Sequence, residues 1–161
     1  MISVRKAQKA DLKAMAGIEA ACFPASEACS AQQFEERFAV FGDYFLVLEC
    51  EGQLIGLIDG MLTNQTTITD SMYADAHLHE PEGAWQSVFG LAVLPEFQHM
   101  GFGGLLLMSL IEQARSENRA GVILTCKEAL IGFYEGLGFV NQGLSASVHG
   151  GSQWYDMQLT F

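Results

Sequence analysis

The chain has 161 residues, half of them hydrophobic and 17% charged, a balance that fits a compact globular fold with a substantial core and argues against disorder. Nineteen acidic against eight basic residues give a formal net charge of −11, which argues against nucleic acid as a partner, since phosphates need a basic surface. The four cysteines, Cys22, Cys29, Cys50 and Cys126, lack the paired spacing of zinc or redox sites and read as reduced thiols of a cytoplasmic protein. The first residues carry no signal-peptide core, and no segment reads as a membrane span.

Taken in order, Ile2 to Lys6 alternates as an opening strand, and Asp11 offers an N-cap to a helix with Leu12, Met15, Ile18 and Cys22 on one face. Pro24 marks where that helix has ended. Ser30 with Gln33 forms a capping box for a second helix, on which Phe34, Phe38 and Phe41 share a face. Such a stripe is more often core than pocket. Tyr44 to Cys50 and Leu54 to Leu62 are predicted strands, joined by a tight turn at Glu51-Gly52. Asn64 to Ala84 is polar and unpatterned, a long loop of the kind that carries function or moves.

Val88 to Val93 reads as one buried strand, followed by a loop from Pro95 to Gly101, Gly103 and Gly104, and then an apolar helix over Leu105 to Ala114. A strand feeding a glycine-rich loop at a helix N-terminus forms an anion site, because unpaired N–H groups and the helix dipole converge there. Val122 to Thr125 is a short buried strand, and Leu130 to Leu137 a short helix stopped by Gly138. Phe139 to Val148 and Gln153 to Thr160 close the chain as strands around a hairpin turn at His149-Gly150-Gly151. No repeat or linker interrupts residues 1–161, so a single α+β domain on a mixed sheet is expected.

The glycine loop lacks the Gly-Lys-Ser/Thr of a P-loop and the third glycine of a dinucleotide fingerprint, where Leu106 stands. Gln98-His99-Met100-Gly101-Phe102-Gly103 instead resembles the Q/R-x-x-G-x-G/A loop of the GNAT N-acetyltransferases. Ile131 to Phe139, a helix with a tyrosine ahead of a Gly-Phe turn, is similar to that family's second signature. Cys126 to Leu130 with Phe133-Tyr134, and Pro24 to Ala28, resemble its arylalkylamine (serotonin-type) branch.

The resemblance implies a mixed central sheet of about seven strands flanked by about four helices, with acetyl-CoA as the donor and no metal. It implies that Leu91, Ala92, Val93, Gln98, His99, Met100, Gly101, Phe102, Gly103, Gly104 and Phe133 bind the cofactor, His99 most simply through its backbone N–H. The acceptor would be a small amine, the protein a monomer or homodimer with no membrane partner. Two alternatives stay open: acetylation of a protein N-terminus or lysine by the same fold, and an acyl-CoA-binding sensor without turnover.

Acetyl transfer to nitrogen makes three demands. An alkylammonium that titrates near ~10.4 must lose a proton, the oxyanion needs donors, and the departing thiolate needs a proton. By resemblance Tyr134 is the general acid, and backbone N–H groups of the central strand hold the oxyanion. The arylalkylamine branch places a His-x-His pair on that strand, yet here those positions are Ser87 and Phe89. Candidates for the missing base are Asp59, Glu27 and His77. Asp59 interrupts an apolar strand, where a carboxylate is buried for use or faces solvent. Glu27 is a loop carboxylate within reach of a substrate ammonium or simply solvated, and His77-Leu78-His79 reads more plainly as solvated loop histidines.

Overall fold

The computed structural model describes residues Met1–Phe161. In chain order the elements are β1 (Ile2–Lys6), α1 (Leu12–Cys22), α2 (Ala31–Phe41), β2 (Phe45–Cys50), β3 (Gln53–Asp59), β4 (Leu62–Thr63) and α3 (Asp70–Ala74). They continue with β5 (Trp85–Val88), β6 (Gly90–Val93), α4 (Phe102–Ser116), β7 (Gly121–Cys126), α5 (Ile131–Glu135), β8 (Val140–Leu144) and β9 (Tyr155–Thr160). The fold is α+β and forms two compact units, one of Met1–Gly60 with Gly90–Glu112, the other of Met61–Phe89 with Gln113–Phe161.

The first unit holds a four-stranded sheet in the order β1-β2-β3-β6, antiparallel throughout. The expected β2–β3 hairpin is present, and its turn places both Glu51 (φ 50°) and Gly52 (φ 80°) in the left-handed region. That matches a two-residue turn whose twist suits the flanking strands. Leu12, Met15 and Ile18 bury the inner face of α1, and Ser30 and Gln33 cap α2 reciprocally as expected. Phe34 and Phe41 of the phenylalanine stripe are core, and Phe38 is half-buried. Phe34, Phe38 and Phe41 surround Phe45 of β2, with ring centroids 6.1, 5.5 and 5.6 Å away. Asp11 stands ahead of α1 but does not cap it; its carboxylate accepts instead from the Gln8 N–H and from Arg5. A guanidinium offers two strong charged bonds, which outcompete a cap.

The second unit holds a five-stranded mixed sheet in the order β4-β5-β7-β9-β8, with β5 and β7 parallel and the other pairs antiparallel. Its core gathers Val122, Ile123, Leu124, Met157 and Phe139. No helix is long and apolar enough to cross a membrane.

Three expectations need correction. The run Val88 to Val93 is not one strand: it breaks at Phe89, so that β5 joins the second sheet and β6 the first. The run Leu54 to Leu62 divides likewise at Gly60 and Met61, leaving β4 in the second sheet. The stretch Asn64 to Ala84 is not wholly loop, since Thr69 begins α3 and Met72 is buried from it. One mixed sheet of about seven strands thus becomes nine strands in two sheets. Periodicity registers burial but not which ladder a strand enters.

Candidate active site

In the first unit, β6 pairs with β3 (Gly56↔Val93, Leu57↔Ala92, Ile58↔Leu91) and delivers the chain into the glycine loop. The Gln98 amide Nε2 donates to the Val93 carbonyl (2.9 Å), as does Cys22 Sγ (3.2 Å), which ties the loop to the strand end. His99 (φ 63°) and Gly101 (φ 85°) both lie in the left-handed region. The first helical bond of α4 is Leu105 N–H to the Gly101 carbonyl, so the N–H groups of Phe102, Gly103 and Gly104 have no partner one turn back. A Cβ at Gly101, Gly103 or Gly104 would meet nothing within 4 Å. At 103 and 104, where φ is ordinary, neither packing nor conformation demands glycine. The backbone there lies open, and N–H donors at a helix start suit an anion such as phosphate.

At the other end of β6 lies a buried polar cluster. Asp59, the last residue of β3, is fully buried and pairs in register with Gly90, so the solvated alternative for it does not hold. Its Oδ2 accepts from Arg37 Nη1 (3.4 Å), while Oδ1 has no hydrogen-bond partner. Glu19, on the inner face of α1, is 3% exposed, and its Oε2 accepts from the Cys29 N–H (3.1 Å). A Cβ on Gly90 would stand 2.6 Å from Glu19 Oε1 and 3.1 Å from Asp59 Oδ1. A side chain at position 90 would therefore have to displace the Glu19 carboxylate. Burial, and then the neighbouring Asp59 charge, push the Glu19 carboxyl up to about 7. Burial raises Asp59 too, opposed by Arg37.

In the second unit Tyr134 of α5 is buried, its ring edge-on to Phe133 (5.0 Å) and Phe139 (5.8 Å). Burial first, and then Cys126 and Tyr73, raise its hydroxyl far above the usual phenol value. Phe133 is 42% exposed beside it. Tyr73 of α3 bonds Thr125 Oγ1 (2.8 Å), stacks on His149 (centroids 4.9 Å) and tilts against Phe89 (5.0 Å). Trp154 Nε1 donates to the His149 carbonyl (2.9 Å), and His149 lies in the expected turn.

Among the other expected site residues, Glu27 is half-buried in the α1–α2 segment, and its N–H donates to the Pro24 carbonyl. His77 is exposed, and its N–H donates to Asp75 Oδ1. His79 is structural: its Nδ1 accepts the Leu62 N–H (3.0 Å). Ser87 is fully buried, its Oγ bonded to the Met61 carbonyl (2.8 Å). Glu19 and Arg37 escaped the sequence reading, although each signals itself. Glu19 falls four residues after Met15 on the apolar face of α1, and Arg37 sits between Phe34 and Phe41 on that of α2. A charge at a core position is informative.

The first unit thus carries a strand, a glycine-rich loop and a helix start in sequence, and the second a buried tyrosine ahead of a Gly-Phe turn. The model of the Acetyltransferase (GNAT) family matches residues 12–139, and the chain belongs to that family. Serotonin N-acetyltransferase of Mesocricetus auratus is 30% identical over 109 residues, covering 67% of this chain and 51% of that protein; the match thus spans about half of that relative's length. Among solved structures, the GphF GNAT-like decarboxylase in complex with isobutyryl-CoA superposes with a TM-score of 0.85 at 22% identity over 98% of each chain. Arabidopsis thaliana Naa50 in complex with the bisubstrate analogue CoA-Ac-MVNAL superposes with a TM-score of 0.76 at 17% identity over 99% of each chain. At these identities the likeness is one of fold.

Proposed function

We propose that this chain transfers the acetyl group of acetyl-CoA to the nitrogen of a small amine by direct attack. The observation that carries the reading is the bare backbone at Gly103 and Gly104, at the start of α4, in a chain of this family. The resemblance to the serotonin enzyme favours a small amine over a peptide.

Acetyl-CoA supplies a thioester whose carbonyl accepts the nitrogen lone pair. The N–H groups of Phe102, Gly103 and Gly104 hold its pyrophosphate, with Gln98, His99, Met100 and Gly101 forming the wall of the loop. Leu91, Ala92 and Val93 offer the β6 backbone to the acyl arm and the oxyanion. Phe133 gives an apolar surface to the arm, and Tyr134 protonates the sulfur. Asp59, Glu27 and His77 were the sequence candidates for the base. Asp59 alone of the three is fully buried, and His77 lies out in solvent. Residues 1–161 act as one catalytic domain.

The test is coenzyme A thiol release from acetyl-CoA across arylalkylamines, polyamines and peptides. Turnover confined to one small-amine class supports the reading. Turnover confined to peptides moves the chain to the protein-acetylating alternative, and acetyl-CoA binding without any turnover moves it to the sensor. Gly103→Val gives a second check. Its Cβ meets no atom of this chain within 4 Å, so thermal unfolding stays within about 1 kcal/mol of the parent. The added side chain nevertheless blocks close approach to the backbone, and calorimetric titration reads a loss of at least about tenfold in acetyl-CoA affinity. Unchanged affinity would remove the loop from the binding site.

A further inference from the structure

Acetylation of an alkylamine needs a proton acceptor, and no histidine stands on the central strand to serve. The first unit holds two buried carboxylates together, Asp59, already a candidate from sequence, and Glu19, which was not. Glu19 Oε1 and Asp59 Oδ1 both lie against the bare Cα of Gly90, where even a methyl group would stand 2.6 Å from one and 3.1 Å from the other. Asp59 Oδ1 has no hydrogen-bond partner although the residue is fully buried. We propose that Glu19 and Asp59, packed together beneath Gly90, are the proton acceptor of the reaction, with Glu19 as the member that takes the proton. This rests on the reading of the chain as an amine acetyltransferase.

Charge accounting supports the assignment. From β3 the pair faces Asp59's own contact with Arg37 of α2, and from α1 and the segment after it the thiols of Cys22 and Cys29. One guanidinium serves two carboxyls, so with both ionised the buried cluster carries a net negative charge; a single held proton removes it. Arg37 contacts Asp59, which leaves the proton with Glu19. Glu19 is also the outer member, 3% exposed where Asp59 is 0%. Its affinity for a proton, pushed up to about 7, matches the working range of a general base. The pair sits at the first residue of β6, roughly 10 Å along that strand from its Val93 end at about 3.3 Å per residue. A purely structural carboxyl pair would have no reason to leave an oxygen orphaned.

In the step itself the ammonium N–H bond breaks and an O–H bond forms on Glu19. The freed lone pair on nitrogen attacks the acyl carbon, the thioester C–S bond breaks, the sulfur leaves with the Tyr134 proton, and the second proton that nitrogen sheds restores the phenol. Glu19 later releases the proton to solvent, and no oxidant or further reactant enters.

The test compares two acceptors: the amine that the unaltered chain uses best, and an analogue of it so weakly basic that its nitrogen is already neutral at pH 7. For the ordinary amine, kcat/KM rises with pH through about 7, a limb that the neutral analogue lacks. Glu19→Gln, which keeps an acceptor for the Cys29 N–H, erases that limb. It lowers kcat/KM for the ordinary amine by about 10²- to 10⁴-fold, and for the neutral analogue by less than about tenfold. Equal losses for both acceptors, or a limb that survives in Glu19→Gln, would overturn the assignment. If that variant does not fold, the two profiles of the unaltered chain decide: identical limbs for both acceptors overturn it. Failure of the unaltered chain to acetylate any amine would remove the parent reading and this inference together, a result distinct from an active enzyme whose profile ignores Glu19.

Discussion

Tyr134→Phe lowers kcat by about 10²- to 10⁴-fold while KM for acetyl-CoA stays within a factor of about three, because a proton donor to the leaving group acts in the transition state and not in binding. The size of the effect follows from where the hydroxyl sits. Burial, with the neighbouring Cys126 and Tyr73, raises its proton affinity so far that the phenol stays protonated across the whole working range. A phenol held in that state can donate a proton and cannot serve as a base. Phenylalanine preserves the ring against Phe133 and Phe139, 5.0 and 5.8 Å away, so thermal stability changes by less than about 1 kcal/mol. Steady-state kinetics beside a melting curve separate the two effects. Unchanged kcat in a stable variant removes Tyr134 from the chemistry.

The unaltered chain loses stability between about pH 4.5 and 7, and Glu19→Gln does not share that decline. The ordinary carboxyl value of 4.5 applies to Glu19 in the unfolded chain, and about 7 applies in the folded one. The folded state thus binds the proton more tightly. Below the unfolded value Glu19 is neutral in both states and its favourable contribution is complete. As pH rises toward the folded value, unfolding releases a proton and the contribution drains away. At about 1.4 kcal/mol per tenfold in proton affinity, the swing is of the order of 3 kcal/mol. Chemical unfolding from pH 4.5 to 8 measures it. Groups that titrate in both proteins cancel in the comparison, so parallel curves would show that Glu19 does not hold its proton in the fold.

The elements that could be read from sequence are those whose cause is local. The capping box at Ser30 and Gln33 and the turn at Glu51-Gly52 depend on neighbours a few residues apart and stand where they were expected, and the glycine loop does too except that α4 starts at Phe102 and takes in Gly103 and Gly104. Leu12, Met15 and Ile18 fixed the inner face of α1 by spacing alone. What was hidden depends on partners far along the chain. The break at Phe89 exists because Gly90 pairs with Asp59 whereas Val88 pairs with Leu124, and no pattern within Val88 to Val93 announces a change of ladder. The acidic cluster was half-visible: Asp59 stood out as a charge in an apolar strand, but Glu19 and Arg37 come from helices 40 and 22 residues before it and meet only in three dimensions.

The alternation of the chain between its two sheets sets an order of assembly during synthesis. Residues 1–60 emerge first, yet β3 lacks its β6 neighbour until Gly90–Val93 has been made, thirty residues later. Until then Leu57 and Ile58, fully buried in the finished fold, line an open sheet edge, the kind of surface that pairs with other chains. The second sheet closes later still, since β7 at its centre waits for β9, which ends at Thr160. Long-range pairing of this kind slows folding, because distant segments must meet before they gain contacts. A chain interrupted after β3 would expose its most apolar strands, and a chain interrupted before β9 would carry a finished first sheet attached to an unfinished second one.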